Sequence, residues 1–379
     1  MRAGPGGAGN APALPGRRPV LVTGGAGFIG ANLADRLARE GHDVLVYDAL
    51  LRPGVEENLT WLRARHPRRI SVALADIRDE AAVAAAVADA QAVFHLAAQV
   101  AVTTSLADPR DDFGTNLHGT FLLLDAVRRR GARTPVVFAS TNKVYGSLAD
   151  VVLALEGDAY VPRDPAIRAH GIGEDRPLDF HTPYGCSKGA ADQYVLDWAR
   201  SYGVPTAVFR MSCIYGPHQM GTEDQGWVAH FLIRALQGQG ISIYGDGCQV
   251  RDVLFVEDAV GAYVAAWRRI GAVAGQALNL GGGPANAVSL RQVVGFIEEL
   301  SGRRVRVEYA DWRAGDQRYY VSDARRAERG LSLAPATPWR SGIAALVDWL
   351  RRERGLGPQA RTRAAASAAD AVQAAEVMR

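Results

Sequence analysis

Tyr184 and Lys188 stand four residues apart in Tyr184-Gly185-Cys186-Ser187-Lys188, directly after Pro183. In a helix that spacing puts a phenol and an ammonium on one face. A free phenol ionises near pH ~10, too high for a base at neutral pH. A neighbouring ammonium favours the phenolate and lowers that value, so the tyrosine can take a proton from a substrate hydroxyl. The hydroxyl pair Ser140-Thr141, at the end of an apolar run upstream, adds a hydrogen-bonding group.

A second constellation supplies a place for a redox partner. Gly24, Gly27 and Gly30 occur in Gly24-Gly25-Ala26-Gly27-Phe28-Ile29-Gly30, after the run Pro-Val-Leu-Val-Thr at 19–23. One glycine serves the tight turn, one the close approach of backbone to a pyrophosphate, and one the packing of helix on sheet. The helix that opens there presents free N–H groups to phosphate charge. Asp48 lies 18 residues past Gly30, at the end of the second apolar run. A carboxylate there accepts bonds from ribose hydroxyls and repels a 2′-phosphate, which favours NAD over NADP. Asp76 with Ile77, after the third run, is placed to clamp the adenine. A bound nicotinamide cation beside the phenol would also favour the phenolate, and it would accept hydride from the carbon whose hydroxyl loses its proton.

The elements that must position these groups read as strands alternating with helices. Strands are expected at 19–23, 43–47, 70–75, 92–96, 136–140 and 206–211, with helices at 81–87, 119–130 and 184–201 and a helical face through Ile29, Leu33 and Leu37. Such alternation implies an α/β fold with a doubly wound parallel sheet of the Rossmann type. After Cys213 the alternation loosens. The expected organisation is an NAD-binding domain over 19–212 and a smaller C-terminal substrate-binding lobe mainly over 213–350, interleaved with the first. Ligands of open α/β sheets bind beyond the carboxyl ends of the strands, so the cleft is expected between the lobes.

Composition narrows the function. The 379 residues are 48% hydrophobic with a formal net charge of +3, a balance that suggests neither nucleic acid nor a membrane surface as partner. No run approaches the ~20 apolar residues of a membrane helix. Cys186, Cys213 and Cys248 have no paired spacing, which fits a reducing cytoplasm and no structural metal. Arg17-Arg18 precedes a strand and a glycine turn rather than an export signal, so 1–18 reads as a disordered tail. The Ala-rich stretch 357–379 reads as disordered or helical.

With these motifs in view, the chain resembles the extended short-chain dehydrogenases that modify nucleotide sugars, from about Pro19 to Trp349. The resemblance includes Leu96-Ala97-Ala98-Gln99, Asn116-Leu117-His118-Gly119-Thr120, Val144-Tyr145-Gly146, Tyr215-Gly216-Pro217 and Val250-Arg251-Asp252. Longer stretches look like the CDP-paratose 2-epimerases (CDP-tyvelose 2-epimerases) of that family: 99–105, 140–146, 184–194, 224–228 and Asp316-Gln317-Arg318. The resemblance implies Tyr184 as acid/base, Lys188 as its tuning partner on the nicotinamide ribose, and Thr141 bonded to the reacting hydroxyl. It assigns NAD to the backbone at Phe28, Ile29 and Gly30 and to Asp48, Asp76, Ile77, Leu96, Ala97, Ala98 and Asn116. Thr103, Asn142, Lys143 and Gln225 would line the sugar nucleotide, with Arg251 and Arg313 on its diphosphate. Relatives are commonly dimers or tetramers.

Two departures stand out. Ala49 follows Asp48 where many relatives carry Asn, and Cys213 replaces an Asn near the substrate diphosphate. Sugar-nucleotide 4,6-dehydratases resemble the chain too, but carry an Asp-Glu pair after the catalytic threonine. Here Asn142 and Lys143 follow, and an amide and an ammonium cannot shuttle protons as carboxylates do. The resemblance therefore implies epimerisation by oxidation and re-reduction at one carbon, C2 of CDP-paratose, with a UDP-hexose 4-epimerase or another sugar-nucleotide epimerase or reductase as the alternative. A non-catalytic NAD sensor on the same fold commonly lacks the Tyr-Lys pair retained here.

Overall fold

Short runs of Val, Leu, Phe and Ala, each closed by a turn, become the strands of one parallel sheet. In a computed structural model of the chain, described for residues 18–131, 133–313 and 315–356, seven strands lie in the order Gln276–Leu280, Thr206–Met211, Val136–Thr141, Ala92–His95, Val20–Thr23, Val44–Asp48, Ile70–Leu74. All six pairings are parallel. Val20–Thr23, Ala92–His95 and Val136–Thr141 are buried at every position, as a sheet covered on both faces requires. Strand order reverses between Val20–Thr23 and Ala92–His95, the switch point at which such sheets bind ligands.

Helices cover each face. Leu33 and Leu37 of Phe28–Arg39 pack in one core with Val260 and Tyr263 of Val256–Arg268. Leu123 and Val127 of Gly119–Arg129 pack in the other with Ala191 and Val195 of Thr182–Tyr202. Burial of these apolar faces, at roughly 25 cal/mol per Å², is what holds the layers together.

The second lobe is built on Val250–Phe255, which pairs with Ala287–Ser289, Tyr319–Tyr320 and Cys213–Tyr215. Helices Trp227–Leu236, Leu290–Ser301 and Trp339–Glu353 bury Phe231, Ile297 and Leu346 beside it. The chain crosses between the lobes repeatedly. Gln276–Leu280 returns from this late segment to complete the large sheet. In the opposite direction, the hairpin Leu153–Glu156 with Ala159–Pro162 is tied to the second lobe by the Tyr160 N–H donating to the Cys248 carbonyl at 2.9 Å.

The expected tails at 1–17 and 357–379 lie outside the described residues. Arg18, expected in the first tail, is instead anchored. Its guanidinium donates to the Ala90 carbonyl at 3.2 Å, and Gln91 Nε2 donates to its carbonyl at 2.8 Å. Among the described residues no helix is long and apolar enough to cross a membrane.

Candidate active site

The glycine turn is shaped by contacts that exclude side chains. Gly24 sits at φ +67°, and a Cβ there would lie 2.7 Å from the Ala97 nitrogen. A Cβ on Gly30 would come within 2.1 Å of the Gly24 carbonyl oxygen, so the helix presses on the turn itself. Gly27 differs: its Cβ would meet only the Gly24 oxygen, at 3.1 Å, and its other side faces the cleft. Phe28–Arg39 begins there with no side-chain cap and no acidic residue in its first turn. That donor set suits a phosphate.

A cleft of about 390 Å³ runs from this turn across the carboxyl ends of the strands. Phe28, Ile29 and Gly30 line its floor, with Leu96, Ala97 and Ala98 beside them. Asp48, Asp76 and Ile77 form its far end. The Asp48 carboxylate is fixed by the Ala26 and Leu50 N–H groups at 3.0 and 2.9 Å. Asp76 is held by Arg78, which bonds both its oxygens and keeps its carboxyl below the usual range. These residues fit a dinucleotide: bare helical N–H groups at one point, an oriented carboxylate at the next strand end.

Tyr184, Lys188 and Thr141 all line the same cleft. Thr182–Tyr202 carries the first two, and the Tyr184 N–H donates to Ser105 Oγ at 3.2 Å, fixing where the helix enters. The expected lowering of the phenol pKa depends on the lysine together with a bound nicotinamide cation. From the protein's own groups burial dominates: Tyr184 is pushed up to about 12, opposed by a hydrogen bond with Thr141 and assisted by the Asp112 charge. Burial also brings Lys188 down to about 7, against the pull of Asp192 and Asp112. Its ammonium lies 4.2 Å from the centre of the Phe138 ring. Thr141 additionally accepts the Lys143 N–H at 3.2 Å, capping the short turn Asn142–Tyr145.

Residues 20–281 match the model of the NAD dependent epimerase/dehydratase family. The chain belongs to this family. Its cofactor is NAD, and it is an enzyme of the sugar-nucleotide epimerase/dehydratase group. It is 38% identical over 337 residues to a CDP-paratose 2-epimerase of Salmonella typhi, covering 87% of this chain and 98% of that protein. It is 33% identical over 336 residues to a UDP-glucose 4-epimerase of Mycolicibacterium smegmatis, covering 88% and 99%. Among solved structures it is similar to the Thermus thermophilus UDP-glucose 4-epimerase in complex with NAD (TM-score 0.74, 31% identity, 88% of this chain and 99% of that one). The Thermotoga maritima UDP-glucose 4-epimerase with UDP-glucose has a TM-score of 0.75 at 29% identity, with the same coverage.

Other residues expected at the family site are distributed unevenly. Gln225 lines the cleft, as does Gln219, and the Oε1 atom of each is buried with no hydrogen-bond partner among the described residues. Such acceptors suit a hydroxyl-bearing ligand. Asn116 turns inward: its amide nitrogen donates to Gln99 O, Asp112 Oδ1 and Ser187 Oγ, and its oxygen accepts the Gln99 N–H. It braces the cleft wall, and its neighbour Thr115 lines it. Thr103 Oγ1 is buried, has no hydrogen-bond partner among the described residues and lies outside the cleft lining.

Asn142 is buried and Lys143 half-buried, and neither of these expected substrate residues lines the cleft. Lys143 donates to the Gly315 carbonyl at 3.0 Å and faces Asp316 at 4.0 Å, while burial brings it down to about 8. Arg251 is buried and gives its N–H groups to the Val250 and Gln317 carbonyls at 2.8 and 2.6 Å. Its charge reaches Cys213 on the cleft wall. Arg313 stacks 3.7 Å over the Tyr244 ring and pairs with Asp224 at 3.2 Å, away from the cleft lining. Three acidic or basic groups escaped sequence reasoning: Asp112, and the buried pair Asp192–Arg210, whose carboxylate also accepts from Ser140 Oγ at 2.8 Å. Only Asp192 left a signal, being four residues past Lys188 on the same helix.

Proposed function

We propose that the chain epimerises C2 of a CDP-linked dideoxyhexose, converting CDP-paratose to CDP-tyvelose. The observation that carries the reading is the Asn142-Lys143 pair directly following Thr141, an amide and an ammonium where eliminating water would call for carboxylates. The 38% identity to a CDP-paratose 2-epimerase over nearly its whole length supports the choice of sugar and nucleotide. Bound NAD supplies the hydride acceptor and donor.

Thr141 holds the reacting hydroxyl and Tyr184 takes its proton as the same carbon loses hydride. The keto-sugar then turns in the cleft, and Tyr184 returns the proton when hydride arrives on the opposite face. No net oxidation results. Lys188, one helical turn further along the same helix, would bind the nicotinamide ribose and tune the phenol. The Gly24, Gly27 and Gly30 turn, Asp48, Asp76 and Ile77 seat the dinucleotide, with Asn116 bracing the wall. Gln225 would face the sugar nucleotide, whereas Thr103, Asn142 and Lys143 lie outside the cleft lining. Arg251, whose hydrogen-bond partners among the described residues are carbonyls, keeps charge for the diphosphate, and Arg313 would have to leave Asp224 to join it.

The test is incubation with CDP-paratose and, separately, UDP-glucose, with product NMR at every ring carbon. Inversion at C2 of the CDP sugar is expected. Inversion at C4 of UDP-glucose with the CDP sugar untouched would transfer the assignment to a UDP-hexose 4-epimerase, the activity of relatives 33% identical.

A further inference from the structure

Asp112 ends the short helix Pro109–Asp112, where the chain enters the π-helical stretch Phe113–His118. Its side chain is wholly buried. One oxygen accepts from Asn116 Nδ2 at 3.0 Å and the other from the Ser187 hydroxyl, both neutral donors. A buried carboxylate without a cationic hydrogen-bond partner is costly, and burial raises the Asp112 pKa accordingly.

Lys188 is the cation that acts on it. The other carboxylate facing Lys188 is Asp192, but Arg210 holds both oxygens of Asp192 at 3.0 Å. From the strand Ala92–His95, His95 faces the lysine, and its ring nitrogens are taken by Thr23 and Thr120 at 2.7 and 3.0 Å. From Val136–Thr141 the Phe138 ring lies against the ammonium. Asp111, more exposed, acts on Asp112 from outside. Among the described residues, Asp112 is thus the buried carboxylate acting on Lys188 that makes no hydrogen bond to an arginine.

We propose that Asp112 is a positioning residue whose carboxylate is the counter-charge of Lys188, and whose bond to Ser187 holds residues 184–188 against the π-helical stretch. This rests on the reading that Tyr184 and Lys188 serve the reaction. The direction of the effect follows from charge. A carboxylate favours the protonated forms of both Lys188 and Tyr184, and both feel this one. Its loss should let both groups shed protons at lower pH.

Asp112→Asn removes the charge and keeps an acceptor for Ser187. In the holoenzyme, phenolate absorbance of Tyr184, taken as the difference from a Tyr184→Phe background, is followed against pH together with the NAD dissociation constant. Both transitions should move about one pH unit lower. Superimposable curves would overturn the proposal. Asp112→Ala, which leaves room for water, carries the same expectation should the amide destabilise the fold. Asp112→Glu should hold both transitions near their parent positions, and a downward shift there as large as that of the neutral variants would also overturn it. No sugar enters these readouts. Failure of CDP-paratose to react would therefore sink the proposed substrate alone, whereas unmoved titrations would sink the Asp112 assignment alone.

Discussion

At Tyr184 two demands conflict: a protected phenol is a reluctant acid, yet catalysis requires it to release and regain a proton near neutrality. Burial raises its pKa to about 12, and among the described residues the Thr141 hydroxyl opposes this. Tyr184→Phe should lower turnover by ~10²–10⁴-fold, the usual worth of a positioned acid/base. NAD binding, followed by fluorescence, should survive the change. The two arginines should separate. Arg251→Ala is expected to raise KM for the sugar nucleotide by roughly 10- to 100-fold, the range of one to two charge-assisted hydrogen bonds. Arg313→Ala, whose charge is already matched by Asp224, should raise it by about threefold or less. Equal effects on KM would contradict the roles assigned to them. The phenol, the lysine and the glycines could be read from the sequence because each belongs to a short local spacing. Asp112 could not, because it meets Ser187 from 75 residues away and only folding joins them.

Elements tell a similar story. The expected strands and helices of the large sheet lie within about two residues of the observed ones, because each apolar run is bounded by a turn or a helical cap. The hairpin Leu153–Glu156 with Ala159–Pro162 and the helix Pro165–His170 were not anticipated. They are short, the hairpin mostly half-buried and the helix without a buried residue, so neither leaves a strong hydrophobic period. The glycine turn makes the sharpest prediction at this scale. Gly30→Ala would drive a Cβ into the Gly24 carbonyl at 2.1 Å, whereas Gly27→Ala meets the same atom at 3.1 Å. Gly30→Ala should therefore lower the melting temperature and weaken NAD binding by roughly tenfold or more, since overpacking of this kind costs about 1–3 kcal/mol. Gly27→Ala should weaken NAD binding while leaving the apoprotein's melting temperature nearly unchanged. Calorimetry with and without NAD reads both.

For the whole molecule, the buried His95 links acidity to stability. Burial lowers its pKa from 6.5 to about 3, and the Lys188 charge assists. Between those values the unfolded chain binds a proton that the folded chain refuses, so stability must fall as pH falls from about 6.5 toward about 3. Thermal unfolding across that window should show the decline, and His95→Gln should flatten it. An unchanged slope would mean that other groups dominate.

The return of Gln276–Leu280 to the large sheet has a consequence for biosynthesis. That strand lies beside Thr206–Met211, whose end carries the cleft-lining Met211. A nascent chain released only through the first 212 residues would expose that edge to solvent, and to its neighbours on the polysome. Nearly three-quarters of the polypeptide must leave the ribosome before Thr206–Met211 is covered by its last neighbour and the sheet is complete.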